Sequence, residues 1–149
     1  MENPALAKVM MPAVNEVYLW HGTSEAGATS IIQNGFKVEL AGSSAGTLYG
    51  RGIYMAECSS KADEYSADDT VPGVHCMLLC RAVLGEILSL TAGGEATYSM
   101  IEAGIKSGAY DSVLGDREAS VGTYREFVVY DSARIYPEYL IRYEHELGG

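Results

Sequence analysis

Several things are scarce in this 149-residue sequence, and each scarcity closes off a class of function. Cysteine occurs three times, an odd number, and the opening MENPALAKVM carries no basic-then-apolar signal. A secreted disulfide framework is therefore excluded, and reduced thiols in an intracellular setting, cytoplasmic or nuclear, are expected. Long apolar runs are missing as well: the stretch around Met77-Leu78-Leu79 meets Arg81 and Glu86 within a few residues, against the ~20 apolar residues that cross a bilayer. No membrane partner is expected. Basic side chains number 10 against 20 acidic ones, for a formal net charge of −10 with three histidines. Such a surface repels phosphate backbones, and no basic run offsets the repulsion, so nucleic acid is not an expected partner. Repeats, low-complexity tracts and long linkers are also lacking.

What is present reads as one globular domain: 48% hydrophobic and 20% charged residues, in a chain long enough to bury a sizeable core. Residues 1–14 read as a leader and 15–149 as a single unit. Val17-Tyr18-Leu19-Trp20 is β-branched and aromatic, a short buried strand that would present His21 at its boundary with a loop. Thr23 or Ser24 can cap a helix whose Ala28, Ile31 and Ile32 share a face, with Asn34-Gly35 as the stop. Leu40 to Gly50 is small and glycine-rich, a surface connector or a ligand lid. Gly52 to Ala56 reads as a strand, after which Ser59 or Ser60 caps a short helix through Tyr65 and Ser66. Val74 to Leu84, apolar on nearly both faces, reads as a central strand. A helix near Met100 to Lys106 and strands at Tyr110–Leu114, Arg125–Tyr130 and Arg134–Glu144 complete the pattern. Strands outnumber helices without regular alternation, which points to α+β: a largely antiparallel or mixed sheet carrying two or three helices.

The chemistry-bearing motifs are each ambiguous alone. Gly50-Arg51-Gly52 resembles the start of a phosphate loop but runs into a strand, with no helix N-terminus to hold a phosphate. Cys76 and Cys80 share a strand face yet lie too far apart to chelate one metal unaided, and read as buried structural residues. No G-x-S-x-G nucleophile elbow occurs. There remain His21-Gly22-Thr23 after a strand, Gly52-Ile53-Tyr54 with Tyr65 further on, and Glu126 opening an apolar strand. Taken singly, a histidine at a strand end, a tyrosine at a core rim and a glutamate at a strand entry more often serve structure than chemistry.

In combination and order, His-Gly-Thr, Gly-x-Gly-Ile-Tyr, a Ser-Lys helix with tyrosine and Glu-Phe-Val-Val-Tyr-Asp resemble the catalytic domain of poly(ADP-ribose) polymerases. These are the diphtheria-toxin-like ADP-ribosyltransferases with a His-Tyr-Glu triad. The resemblance runs from about Tyr18 to Tyr143 and includes Tyr110-Asp111-Ser112-Val113 and Tyr136-Pro137-Glu138-Tyr139-Leu140-Ile141. It implies a split β-sheet fold and transfer of ADP-ribose from NAD⁺, a co-substrate, to a protein acceptor or to the chain itself, with no metal. It further implies that His21 hydrogen-bonds the adenosine-side ribose, an imidazole being able to donate to and accept from hydroxyls. Gly22 would hold the nicotinamide amide by its backbone with Thr23 beside it, and Tyr54 and Tyr65 would sandwich the ring. Glu126 would bind the nicotinamide ribose and stabilise positive charge on the sugar as nicotinamide departs.

One position departs from the family pattern. Where the family carries a serine that bonds the nicotinamide amide, this chain has Ala62, and the lost hydrogen bond is worth roughly 0.5–1.5 kcal/mol unless Ser59, Ser60 or Ser66 replaces it. No helical autoregulatory domain or DNA-binding module is recognised, which implies open access to NAD⁺. The closing Tyr-Pro-Glu-Tyr-Leu-Ile run looks more like mono-transferring relatives, although Glu126 is compatible with elongation. The rival readings are a non-catalytic NAD⁺ or ADP-ribose binding module, an RNA 2′-phosphotransferase, which the acidic charge disfavours, and an NAD⁺ glycohydrolase.

Overall fold

The computed structural model describes residues 15–38, 49–63, 66, 73–91, 95–116 and 125–144. The expected leader, nearly all of the Leu40–Gly50 connector and Tyr65 lie outside the described residues. In chain order the elements are β1 (Glu16–Thr23), α1 (Glu25–Asn34), β2 (Ile53–Ala56), α2 (Ser59–Asp63), β3 (Val74–Val83), β4 (Ile87–Leu90), α3 (Glu95–Ser107), β5 (Ser112–Gly115), β6 (Glu126–Val129) and β7 (Ile135–Glu144). A 3-10 turn, Ser132–Arg134, leads into β7. The strands form one seven-stranded sheet in the order β4-β5-β6-β2-β1-β3-β7. β4 and β5 are parallel, joined by the α3 crossover that parallel pairing requires, and the other neighbours are antiparallel. The expected α+β class with a mixed sheet and few helices is what is observed. None of the helices described is long and apolar enough to cross a membrane.

Local chemistry accounts for the ends of α1. Ser24 Oγ accepts from the Gly27 N–H at 3.0 Å, satisfying one of the free donors of the first turn. Gly35, at φ 81°, turns the chain out and returns its N–H to the Ile31 carbonyl at 2.8 Å. The buried face is narrower than the sequence suggested: Ala28 is buried and Ile31 packs on the core, but Ile32 is 51% exposed. α2 also begins differently. Its first turn hangs from the Cys58 carbonyl, which accepts from Lys61 and Ala62, and Ser59 and Ser60 are exposed helical residues rather than caps.

Three further expectations change. His21 does not sit at a strand-to-loop boundary, because β3 offers a long partner and pairing runs on through His21–Leu78, Gly22–Met77 and Thr23–Cys76. β3 is next to the edge rather than central, and its burial is largely one-sided: Cys76, Leu78, Cys80 and Ala82 are buried, whereas Leu79, Arg81 and Val83 on the other face are half-buried. β4 went unrecognised, its four residues too short and half exposed to give a periodic signal.

Strand pairing divides the core. Tyr54 opposite Val128 and Ala56 opposite Glu126 share one face, while Ile53, Met55, Phe127 and Val129 share the other. The second face joins β1, β3, α1 and Phe36 in the larger core. The first packs with Tyr49, Val113 and Ile101 of α3 in a smaller one. Two glycines are dictated by close approach. A Cβ on Gly52 would lie 2.5 Å from Val128 Cγ1 and 2.9 Å from the Val129 carbonyl, and one on Gly115 would lie 2.2 Å from the Tyr49 ring. Gly52 therefore serves sheet packing, in agreement with the rejected phosphate-loop reading.

All three cysteines are free; Cys76 and Cys80 are buried and Cys58 is half-buried. Burial also pushes the Cys80 thiol far above its ordinary range. Titration of the native protein with a chromogenic aromatic disulfide is expected to modify Cys58 alone, with the other two reacting only in denaturant. Prompt reaction of a second thiol would contradict this packing.

Candidate active site

β1 and β2 are paired at one described rung, Trp20 opposite Ala56. Beyond it each strand stays paired with its other neighbour: His21, Gly22 and Thr23 with β3, and Met55, Tyr54 and Ile53 with β6. The sheet therefore parts along a seam between β1 and β2, leaving backbone groups there without their ladder partners. A side chain answers one of them. His21 Nδ1 lies 2.8 Å from the Tyr54 carbonyl oxygen. A carbonyl only accepts, so Nδ1 carries the proton and donates, and the neutral ring keeps its lone pair on Nε2. Burial pushes the His21 pKa below its ordinary 6.5, with the Tyr54 carbonyl working in the opposite direction to a lesser extent. The Phe36 ring meets the imidazole edge-on, with centroids 5.1 Å apart at 83°, and fixes its plane.

Tyr54 has no hydroxyl to spare for a ligand. Its oxygen accepts from the Tyr49 N–H at 2.8 Å and its O–H donates to the Gly50 carbonyl at 2.7 Å. Tyr130 donates to the Tyr49 carbonyl at 2.7 Å, so residues 49 and 50 are held from two sides. Desolvation raises the Tyr54 pKa far above its ordinary value, the Tyr49 N–H offsets part of this, and the charge of Glu126 adds to it. Tyr54 is thus a neutral phenol, its ring packed beside the smaller core. Tyr49 and Tyr130 were missed from sequence; Tyr49 lies at the end of a segment read as a surface connector, yet it is fully buried.

Glu126 is the first residue of β6 and is 3% exposed. Its cross-strand neighbours are Ala56 and Gly115, and the Tyr49 ring packs into the space that Gly115 leaves. Glu126 shares a face with Tyr54, its diagonal neighbour. His21, Tyr54 and Glu126 thus sit on β1, β2 and β6, three consecutive strands of the sheet. Gly22 is buried and Thr23 half-buried on the same stretch of β1.

Ala62 is buried on α2. Ser66 does not replace the hydroxyl that Ala62 lacks, because its oxygen is already engaged. It donates to the Asp63 carbonyl at 2.9 Å and lies 3.1 Å from His75 Nδ1 and 3.0 Å from the Tyr143 hydroxyl oxygen. Tyr143 also donates to the Asp63 carboxylate and stacks on His75, so the network ties the end of α2 to β3 and β7. Ser59 and Ser60 face solvent.

Comparison with known proteins bears on this arrangement. A model of the poly(ADP-ribose) polymerase catalytic domain matches residues 4–108, taking in His21, Tyr54 and Ala62 and ending before Glu126. Protein mono-ADP-ribosyltransferase PARP12 of Homo sapiens is 35% identical over 133 residues, covering 88% of this chain and 17% of that protein. Protein mono-ADP-ribosyltransferase PARP11 of Mus musculus is 27% identical over 149 residues, covering 88% of this chain and 43% of that protein. Poly [ADP-ribose] polymerase tankyrase of Caenorhabditis elegans is 35% identical over 77 residues, 51% of this chain and 3% of that protein. The chain spans less than half the length of each. At 88% of this chain, the PARP12 and PARP11 alignments necessarily extend across Glu126.

A histidine held neutral by burial makes stability depend on pH in a defined direction. Unfolded His21 takes up a proton near its ordinary value of 6.5, whereas folded His21 resists protonation to lower pH. Between the two values the unfolded state binds more protons, so stability present above 6.5 is lost as pH falls. The drop in Tm between roughly pH 7.5 and 5.5 is expected to be smaller for His21→Gln than for the native chain. An equal or larger drop in the variant would mean that the imidazole is not held neutral.

Proposed function

Since the chain belongs to the poly(ADP-ribose) polymerase catalytic-domain family, we propose that it is an NAD⁺-dependent ADP-ribosyltransferase acting on a protein acceptor or on itself. The observation that carries this reading is the seam: a neutral imidazole, a fixed aromatic face and a buried carboxylate on three consecutive strands where the backbone ladder opens. Similarity to relatives named mono-ADP-ribosyltransferases favours transfer of one unit at a time. Three free thiols and an acidic surface fit a reducing compartment, cytoplasm or nucleus.

Each residue has a task that its geometry allows. His21, with Nδ1–H committed to Tyr54, offers Nε2 as acceptor to a hydroxyl of the adenosine-side ribose. Gly22 lies where β1 has no β2 partner and has no side chain, so the flat nicotinamide can approach the backbone closely. Thr23 borders the same stretch. Tyr54 gives its ring as one wall, and the two hydrogen bonds at its hydroxyl anchor the far end of that wall. Tyr65 would give the opposing wall, and Ala62 lines the pocket without donating.

Glu126 holds the nicotinamide ribose through its carboxylate. As the glycosidic C–N bond breaks, its electron pair leaves on the nicotinamide nitrogen, the pyridinium becomes neutral, and positive charge passes to the sugar. A buried carboxylate stabilises that charge, and no general acid is needed because the leaving group departs neutral. The acceptor's nucleophilic atom then bonds to the anomeric carbon and releases its proton to solvent.

The test is nicotinamide release from NAD⁺ with mass detection on the protein. The native chain is expected to release nicotinamide and gain ADP-ribose mass, and Glu126→Gln to lower the rate by roughly 10²–10³. Release without any mass gain would point to hydrolysis, and NAD⁺ binding without release to a recognition module. Ala62→Ser restores a donor to the wall beside nicotinamide and is expected to tighten NAD⁺ binding by roughly three- to tenfold in calorimetric titration. Unchanged or weaker binding would place Ala62 away from the amide.

A further inference from the structure

Glu126 opens its strand, and the first residue of a four-residue strand is where a ladder frays most readily. The transferase reading needs its carboxylate to be fixed. What lies one step beyond is an ion pair. Continuing the β2–β6 register past Ala56–Glu126 sets Glu57 opposite Arg125, and there the connection is made by side chains. Arg125 Nε and Nη2 both lie 2.6 Å from Glu57 Oε1. The Glu57 side chain is 5% exposed and that of Arg125 24%, so both charges are largely removed from water.

A buried ion pair is weak evidence for stabilisation, because desolvation cancels much of the attraction. This pair is also incompletely satisfied, since Glu57 Oε2 is buried with no hydrogen-bond partner. Its location is more informative than its energy. Arg125 lies over the Phe127 ring at 5.9 Å, so the residues on either side of Glu126 are anchored together on one face while Glu126 faces the other. Two guanidinium nitrogens converging on one carboxylate oxygen hold the Arg125 side chain at two points.

We propose that Glu57 and Arg125 are positioning residues for Glu126, closing the open end of the β2–β6 pair so that the carboxylate stands at a fixed depth in the seam. This rests on the transferase reading. Neither residue touches the reacting atoms. They act through the backbone of Arg125 and Glu126, and a misplacement of about 1 Å at a reacting group lowers rates by roughly a hundredfold.

The experiment compares the native chain with Glu57→Gln, Arg125→Met and Arg125→Lys in two readouts: steady-state nicotinamide release, and hydrogen exchange of the peptide spanning 125–130. Glu57→Gln and Arg125→Met are expected to lower kcat by about a hundredfold, with KM for NAD⁺ within about threefold, as misplacement rather than lost binding would do. Arg125→Lys, which keeps the charge but not the two-point contact, should recover only part of the loss. Exchange should quicken at 125–130 while β3 and β7 stay protected. Folded variants with kcat within about threefold of native, or a loss confined to KM, would overturn the proposal, as would unchanged exchange at 125–130. An inactive native chain would contradict the transferase reading itself, and the exchange result would then decide the positioning role alone. Should the two disruptive variants unfold altogether, Arg125→Lys decides it.

Discussion

Between β1 and β2 the backbone joins the sheet at Trp20 and Ala56, and past that rung an imidazole takes over. Much of the site's chemistry follows from that substitution of a side chain for a ladder bond. The Tyr54 carbonyl fixes the His21 tautomer, the tautomer leaves a lone pair on Nε2, and burial keeps the ring neutral so that the lone pair stays available. Opening the seam exposes peptide groups that would otherwise pair, a cost tolerated where those groups can serve a ligand. The two half-sheets remain fully paired on their outer sides, so the opening is local and its walls are stiff.

The surroundings keep those walls in place. Three tyrosines, Tyr49, Tyr54 and Tyr130, spend their polar atoms on one another's neighbourhood and lock residues 49 and 50 against β2 and β6. Gly115 makes room for the Tyr49 ring beside Glu126. The Asp63–Ser66–His75–Tyr143 network does the equivalent for the end of α2. In each case a polar group that could have served a ligand is committed to structure, which narrows what the seam can offer and leaves Nε2 of His21 as the nitrogen not used on Tyr54.

The sequence was informative where local chemistry decides the outcome. Ser24 and Gly35 signed the ends of α1, the β-branched and aromatic run Val17 to Trp20 marked β1, and Glu-Phe-Val-Val marked β6, because caps and strand-forming runs are written into adjacent residues. Strand order was not legible: β3 was taken for the centre of the sheet because its residues are apolar at successive positions, which marks a strand but not its place in the order. The seam was invisible for a related reason, since whether His21 pairs with β2 depends on where β2 diverges. Tyr49 was read as part of a surface connector because the residues that bury it are distant in sequence. The family motifs supplied the identities of His21, Tyr54, Ala62 and Glu126, but only the geometry gave the committed hydroxyl of Tyr54 and the engagement of Ser66.

The central claim is that a neutral His21 spans the seam by Nδ1–H and meets NAD⁺ by Nε2. Long-range ¹⁵N–¹H spectra of histidine-labelled protein, with His21 assigned by its absence in His21→Gln, read both nitrogens directly. The account predicts Nδ1 protonated and Nε2 bare in the free protein near neutral pH, with NAD⁺ shifting the Nε2 resonance in the direction of an accepted hydrogen bond. A bare Nδ1, or His21 resonances that stay still under saturating NAD⁺, would contradict it.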